Sequence, residues 1–364
     1  MNTRVARALA FRAVTLLITL FLIVVLTAVI VVGTGYDRII LEAQVKMEVQ
    51  AYLQDKRSKG IEVSPEEIKQ LEEHYRKVYG LDAPLWERIT KLITNTLVLD
   101  LYIAQSSVAD SVGLMPPAKV SEAIKVALPR TIIMITLAYI LASVIAIPLG
   151  ALLAYRRGGF TDKVVISYAA FTNAFPVWWI AMVAIIVFSY RLGIAPTNFR
   201  YVIHYLNQLG EAIASMDLWA SYLALKEILY YAYLPILVVL FGILGSWIYA
   251  ARAITLRVVT EDFVNTARAK GLSERLILWR YVVRVAIGPV LTLVILGLAG
   301  SISGYLITEV VFDWPGMGSL TNVAISLGDA PTILGIVYVT SAVYIAARFL
   351  LEVLYVILDP RVRF

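Results

Sequence analysis

The chain has 364 residues, of which 60% are hydrophobic and 16% charged, with a formal net charge of +6. Soluble domains carry about 25% charged residues, so this balance excludes an ordinary soluble enzyme and points to a protein that crosses the bilayer several times. The chain contains no cysteine and only two histidines, His74 and His204, which excludes disulfides and thiol chemistry and argues against a histidine-based metal site.

Arg4, Arg7 and Arg12 precede an almost wholly apolar run from Leu16 to Val32. A basic start before an apolar run also fits a signal peptide, but the run is long for one, and a first spanning helix over roughly residues 9–35 is predicted. Residues 36–122 form a polar insert. Within it, Ser64-Pro65-Glu66-Glu67 reads as a helix cap, a first-turn proline and a capping-box glutamate. Ile68, Leu71, Tyr75 and Val78 are placed on one face of that helix, and Gly80 ends it. Five more spans are predicted, over roughly residues 126–154, 164–190, 229–251, 285–311 and 331–358. The fifth carries Gly297, Gly300, Ser301 and Gly304, whose small faces allow close helix contact. Residues 312–330 read as an external turn and loop. The expected architecture is therefore all-α: six transmembrane helices, a helical extracytoplasmic insert, and a cytoplasmic helix between the fourth and fifth spans. Residues 1–35 would hold the N-terminus and first span, 36–122 the insert, and 123–364 a core of five further spans.

The cations support this topology. Short segments carry Arg156, Arg157 and Lys163, then Arg252, Arg257, Arg268, Lys270, Arg275, Arg280 and Arg284, and finally Arg361 and Arg363, whereas residues 312–330 carry none. By the positive-inside rule both termini lie in the cytoplasm. The same rule accounts for the net charge without any nucleic-acid partner; the partner is membrane lipid.

The most polar interruption of the second half is Glu261-Asp262-Phe263-Val264-Asn265-Thr266-Ala267-Arg268-Ala269-Lys270-Gly271. Thr260 is placed as its helix cap, with Glu261 and Asp262 in the first turn, where the helix dipole favours negative charge. Gly271 is suited to a left-handed helix end, and Ser273-Glu274 to starting the next helix. A helix held between two spans can pass force between a partner and those spans. On composition alone the stretch also reads as a plain basic loop.

No GxxxxGK[ST] phosphate loop occurs, so the chain itself is not expected to hydrolyse nucleotide. Asn173, Ser301, Ser303 and Thr308 lie within spans and either line a polar path or bond helix to helix. Arg348 and Glu352, four residues apart, are expected to pair within the sixth span. No further acid is found mid-span for a proton relay. An autonomous channel or ion-coupled carrier would need such acids, and a membrane enzyme would need a catalytic cluster at depth.

Residues Glu261 to Ser273 resemble the cytoplasmic loop of permease subunits of binding-protein-dependent ABC importers, of the dipeptide/oligopeptide/nickel type. Tyr79-Gly80-Leu81-Asp82-Ala83-Pro84-Leu85-Trp86, Val311 to Gly318 and Leu358 to Arg363 resemble other signatures of that branch, in the same order. The resemblance implies that Glu261, Asp262, Phe263, Thr266, Ala267, Arg268, Lys270, Gly271 and Leu272 form a coupling helix that docks on an ATPase. It implies a second related permease, two ATPases that hold the ATP and Mg, and an extracytoplasmic solute-binding protein. No cofactor is implied in this chain. The substrates of the branch are peptides, nickel and, in some members, oligosaccharides. The chain departs from the pattern at Leu99-Asp100-Leu101-Tyr102, in the long insert 36–78, and at Arg348, where a neutral polar residue is expected.

Overall fold

The computed structural model describes residues 3–156 and 158–358. Arg157, Arg361 and Arg363, with the rest of the Asp359–Arg363 motif, lie outside the described residues. The described chain is helical, apart from one isolated bridge between Ile103 and Lys119. In order the helices are α1 (Thr3–Gly33), α2 (Tyr36–Ser58), α3 (Pro65–Tyr79), α4 (Leu85–Leu97), α5 (Ser106–Ser111), α6 (Val120–Tyr155), α7 (Phe160–Ala174) and α8 (Val177–Ala184). They continue with α9 (Val202–Ala214), α10 (Leu218–Val259), α11 (Asp262–Ala269), α12 (Glu274–Leu276), α13 (Val283–Gly304), α14 (Leu306–Phe312), α15 (Met317–Leu327) and α16 (Ala330–Leu358). Among the described residues five helices are long and apolar enough to cross a membrane, and six if the bent pair α7 and Val177–Arg191 counts as one span. The fold is that of an all-α polytopic membrane protein.

The chain divides into two compact units. One comprises residues 13–127 and 320–345. Here the local signals of α3 are met: Ser64 Oγ accepts the Glu67 N–H, Pro65 opens the helix, and Gly80 closes it at φ +75°. Ile68, Leu71, Tyr75 and Tyr79 pack on Leu41, Val45 and Val49 of α2. Val78, expected on this face, is exposed. Ala28 and Val32 of α1 pack with Leu92 of α4 and Leu334 of α16. Asp37 at the start of α2 and Arg88 of α4 are buried together and joined by two hydrogen bonds of 2.6 Å. Asp329 precedes α16, accepting from Thr332 Oγ1 at 3.0 Å and from the Gln105 N–H at 2.9 Å.

The other unit comprises residues 1–12, 128–319 and 346–364. Its axis is α10, which packs on α7, α8, α9 and α13. The fourth span was expected over 229–251, but α10 has 42 residues because Asp217 caps it far upstream, its side chain accepting from Trp219 and Ala220. Gly245 lets α7 approach: a Cβ there would lie 2.8 Å from Ala169 Cα. The third span is sharply bent, by 95° between α7 and Val177–Arg191. Pro176 has no N–H to continue α7 and holds Phe175 extended, at φ −114° and ψ 131°. The expected fifth span is divided at Tyr305 into α13 and α14. The small face predicted there is used at Gly297, where a Cβ would lie 2.9 Å from Tyr139 Cε1. Part of the expected external loop 312–330 is the helix α15.

Candidate functional site

The helix α11 begins at Glu261, whose backbone is extended at φ −72° and ψ 149° and whose side chain makes no cap. Thr260, expected to cap α11, does not. Its backbone is helical, and its Oγ1 donates to the Arg257 carbonyl at 2.8 Å, so it finishes α10 instead. Asp262 stands in the first turn of α11. Lys270 N–H donates to Thr266 O, Gly271 N–H to Arg268 O, and Leu272 N–H to Ala267 O. Gly271 adopts φ +74°. Ser273 then opens α12 from an extended backbone.

The two faces of α11 differ. Val264 and Ala267 are buried against Ala151 of α6, Val258 of α10, and Ile277, Leu278 and Val282 of the following turn. Ala267, expected to allow close approach of a partner, thus faces the chain's own helices, and Leu272 packs at the edge of the same cluster. Glu261, Asp262, Phe263, Thr266, Arg268, Lys270 and Gly271 are exposed. Arg268 Nε bonds Glu274 Oε1 at 3.2 Å and its Nη1 bonds Asn265 Oδ1 at 3.4 Å, strapping α11 to α12 across the Gly271 elbow. Both partners are partly exposed, so the strap guides orientation more than it adds stability. Beside it lies a cavity of about 500 Å³ lined by Tyr155, Leu256, Val259, Asn265, Arg268 and Glu274 among others.

A second support was missed in the sequence. Arg252 near the end of α10 holds Asp162 of α7 with two hydrogen bonds of 2.5 and 2.7 Å, and Asp162 also accepts the Gly158 N–H at 3.0 Å. Sequence reading counted Arg252 only as a loop cation. The available signal was Asp162 itself, a lone acid among Arg156, Arg157 and Lys163.

The transmembrane polar residues are placed as follows. Asn173 is exposed, and its Nδ2 donates to Ala169 O of its own helix at 2.9 Å. Thr308 is buried on α14. Ser301 and Ser303 stand on α13, and their side chains lie outside the described residues. The expected Arg348–Glu352 pair is replaced: Glu352 Oε1 binds Arg12 Nη1 of α1 at 3.1 Å, and Arg348 is exposed. Four-residue spacing put the two on one face, but an arginine 340 positions away reaches the carboxylate.

Sequence reading also passed over Glu309. It is 1% exposed on α14 and accepts the Gly318 N–H at 2.7 Å. Thr131 Oγ1 accepts the neighbouring Met317 N–H at 2.8 Å. Together they satisfy the first two free N–H groups that open α15, those of Met317 and Gly318.

Residues 146–364 match the family of binding-protein-dependent transport system inner membrane components. The chain belongs to this family. A candidate peptide transport system permease protein of Brucella abortus (strain 2308) is 32% identical over 305 residues, covering 84% of this chain and 87% of that protein. The dipeptide transport system permease protein of Escherichia coli (strain K12) is 27% identical, covering 83% and 86%. The oligopeptide transport system permease protein of Bacillus subtilis (strain 168) is 27% identical, covering 80% and 85%. The permease is thus a multi-pass inner-membrane transport subunit rather than an enzyme.

Proposed function

We propose that this permease is one membrane subunit of an ATP-driven importer for peptides, coupled through α11 to separate ATPase chains. The observation that carries this reading is the two-sided build of α11. Its inner face is fixed to α6 and α10 by Val264 and Ala267, while Phe263, Glu261, Asp262 and Lys270 are exposed toward a partner beside Arg268, which is exposed but strapped to Glu274 and Asn265. A rigidly seated helix with an exposed apolar-plus-charged face transmits a push without absorbing it. The chain has no phosphate loop, so ATP and Mg belong to the partner. Peptides are favoured over oligosaccharides or nickel by the substrates named for the relatives.

In the full assembly a second related permease pairs with this one, two ATPases bind below, and a solute-binding protein delivers substrate from outside. Both termini lie in the cytoplasm, the insert 36–122 lies outside, and residues 123–364 form the permease core. Purification of tagged protein from its native membrane in mild detergent, followed by mass spectrometry, tests the assembly. Recovery of an ATPase and a second permease is expected. A chain that comes down alone and moves solute without ATP overturns the reading.

A further inference from the structure

The hairpin of α9 and α10 carries an apolar tip where a membrane protein has no need of one. Arg252 marks the inner end of the α10 span and Tyr231 sits 21 residues earlier, about 32 Å at 1.5 Å per residue. This matches the ~30 Å hydrocarbon thickness. Tyr231 belongs to a ring cluster with Tyr201, Tyr205 and Tyr230, as expected of aromatic residues at a membrane interface. From Tyr231 to Leu218 the helix continues for 13 residues, about 20 Å more. The tip therefore stands clear of the hydrocarbon. Yet Met216 is 88% exposed, Leu218 86% and Trp219 69%, with Ile213 and Tyr222 exposed beside them.

The tip is also built to hold its shape. Asp217 N–H bonds Ala212 O at 2.9 Å, and Asp217 Oδ1 accepts from Trp219 and Ala220, each at 3.0 Å. Met216 takes the left-handed turn at φ +55°. Between Arg200 and Lys226 the charged residues are Glu211 and Asp217, both exposed, so the knob is acidic at its margin. A rigid, convex, apolar knob with two carboxylates and no cation complements an apolar hollow edged by lysine or arginine.

We propose that this tip is a docking knob for the extracytoplasmic solute-binding protein, with Trp219, Leu218 and Met216 as its anchors. The proposal rests on the orientation and assembly given above. The absence of native cysteine allows a direct test with Trp219→Cys in the reconstituted complex, using a membrane-impermeant maleimide and the solute-binding protein recovered from the same native membranes. Saturating binding protein is expected to slow labelling severalfold. The double variant Leu218→Lys/Trp219→Lys is expected to weaken binding-protein stimulation of ATP hydrolysis by about tenfold or more, as for loss of a central aromatic anchor, and to leave basal hydrolysis unchanged.

Labelling that is indifferent to binding protein, in a wild-type complex that the same protein stimulates, overturns the knob alone. So does quenching of a Trp219→Cys fluorophore by nitroxide lipids, which makes the tip a membrane anchor, or cross-linking of that cysteine to the second permease. A wild-type complex that no binding protein stimulates overturns the assembly and the knob with it.

Discussion

Arg252 grips Asp162 through two hydrogen bonds of 2.5 and 2.7 Å, tying the last turns of α10 to the start of α7 just before the chain enters α11. The carboxylate is buried and the guanidinium nearly so. Removing one partner of a buried pair leaves an uncompensated charge and costs about 3–5 kcal/mol. Arg252→Ala is therefore expected to lower the thermal midpoint in detergent and to cut ATP-driven uptake. The double change Asp162→Leu/Arg252→Met recovers much of the midpoint if burial of an unpaired charge is the cause. An unchanged midpoint in Arg252→Ala excludes the pair as a support for α11.

Gly271 sits at φ +74° with open space around its Cα. The cost of a side chain there is therefore backbone strain alone, about 1–2 kcal/mol, and greater for a β-branched residue. Gly271→Val is expected to insert and to bind ATPase, but to transport fewer molecules per ATP hydrolysed. Gly271→Asn, which tolerates this conformation, is expected to stay close to wild type. Proteoliposome uptake measured together with phosphate release checks both, and equal stoichiometry in the valine variant removes the elbow from the coupling argument.

Glu309 and Gly318 fix the start of α15. Glu309→Gln keeps an oxygen that can accept the Gly318 N–H, whereas Glu309→Ala leaves that buried group unsatisfied at a cost of about 1–3 kcal/mol. Thermal unfolding is expected to rank wild type, glutamine and alanine in that order. Gly318→Ala is expected to be as harmful as Glu309→Ala, since its Cβ would lie 2.7 Å from Glu309 Cβ and 2.8 Å from Leu306 O.

How much of this was legible beforehand follows from where each signal lives. The ends of α3 and the φ of Gly271 depend on neighbours within one turn, so Ser64, Pro65, Gly80 and Gly271 announced them. The partner of Glu352 is decided by how α1 lies against α16, and spacing within α16 holds no record of Arg12. The helix α15 escaped for the same reason, because Glu309 and Thr131, which satisfy its first N–H groups, come from other elements. Thr260 had the right chemistry for a cap, but α10 runs as far as Val259 and claims its hydroxyl. In the α11 region, sequence identified the exposed charges and missed the clamp at Asp162.

Tyr79 offers a test of the 36–122 insert by pH. Burial, and then its 2.9 Å hydrogen bond to Glu48, push its hydroxyl above the ordinary tyrosine value. The folded state thus holds this proton more tightly than the unfolded chain does. The stability it contributes is fully present below about pH 10 and is lost as pH rises from there through the folded value. Tyr79→Phe is expected to flatten the alkaline decline of the thermal midpoint between pH 9 and 11 at constant ionic strength. A decline as steep as wild type assigns the alkaline loss to other groups.

The unbroken 42 residues of α10 also set a mechanical ratio. At 1.5 Å per residue the helix is a rod about 63 Å long. A tilt of about 5° about one end moves the other by roughly 5 Å, a helical pitch. A tilt that is small in angle at the inner end is therefore a displacement of about one helical pitch at Trp219.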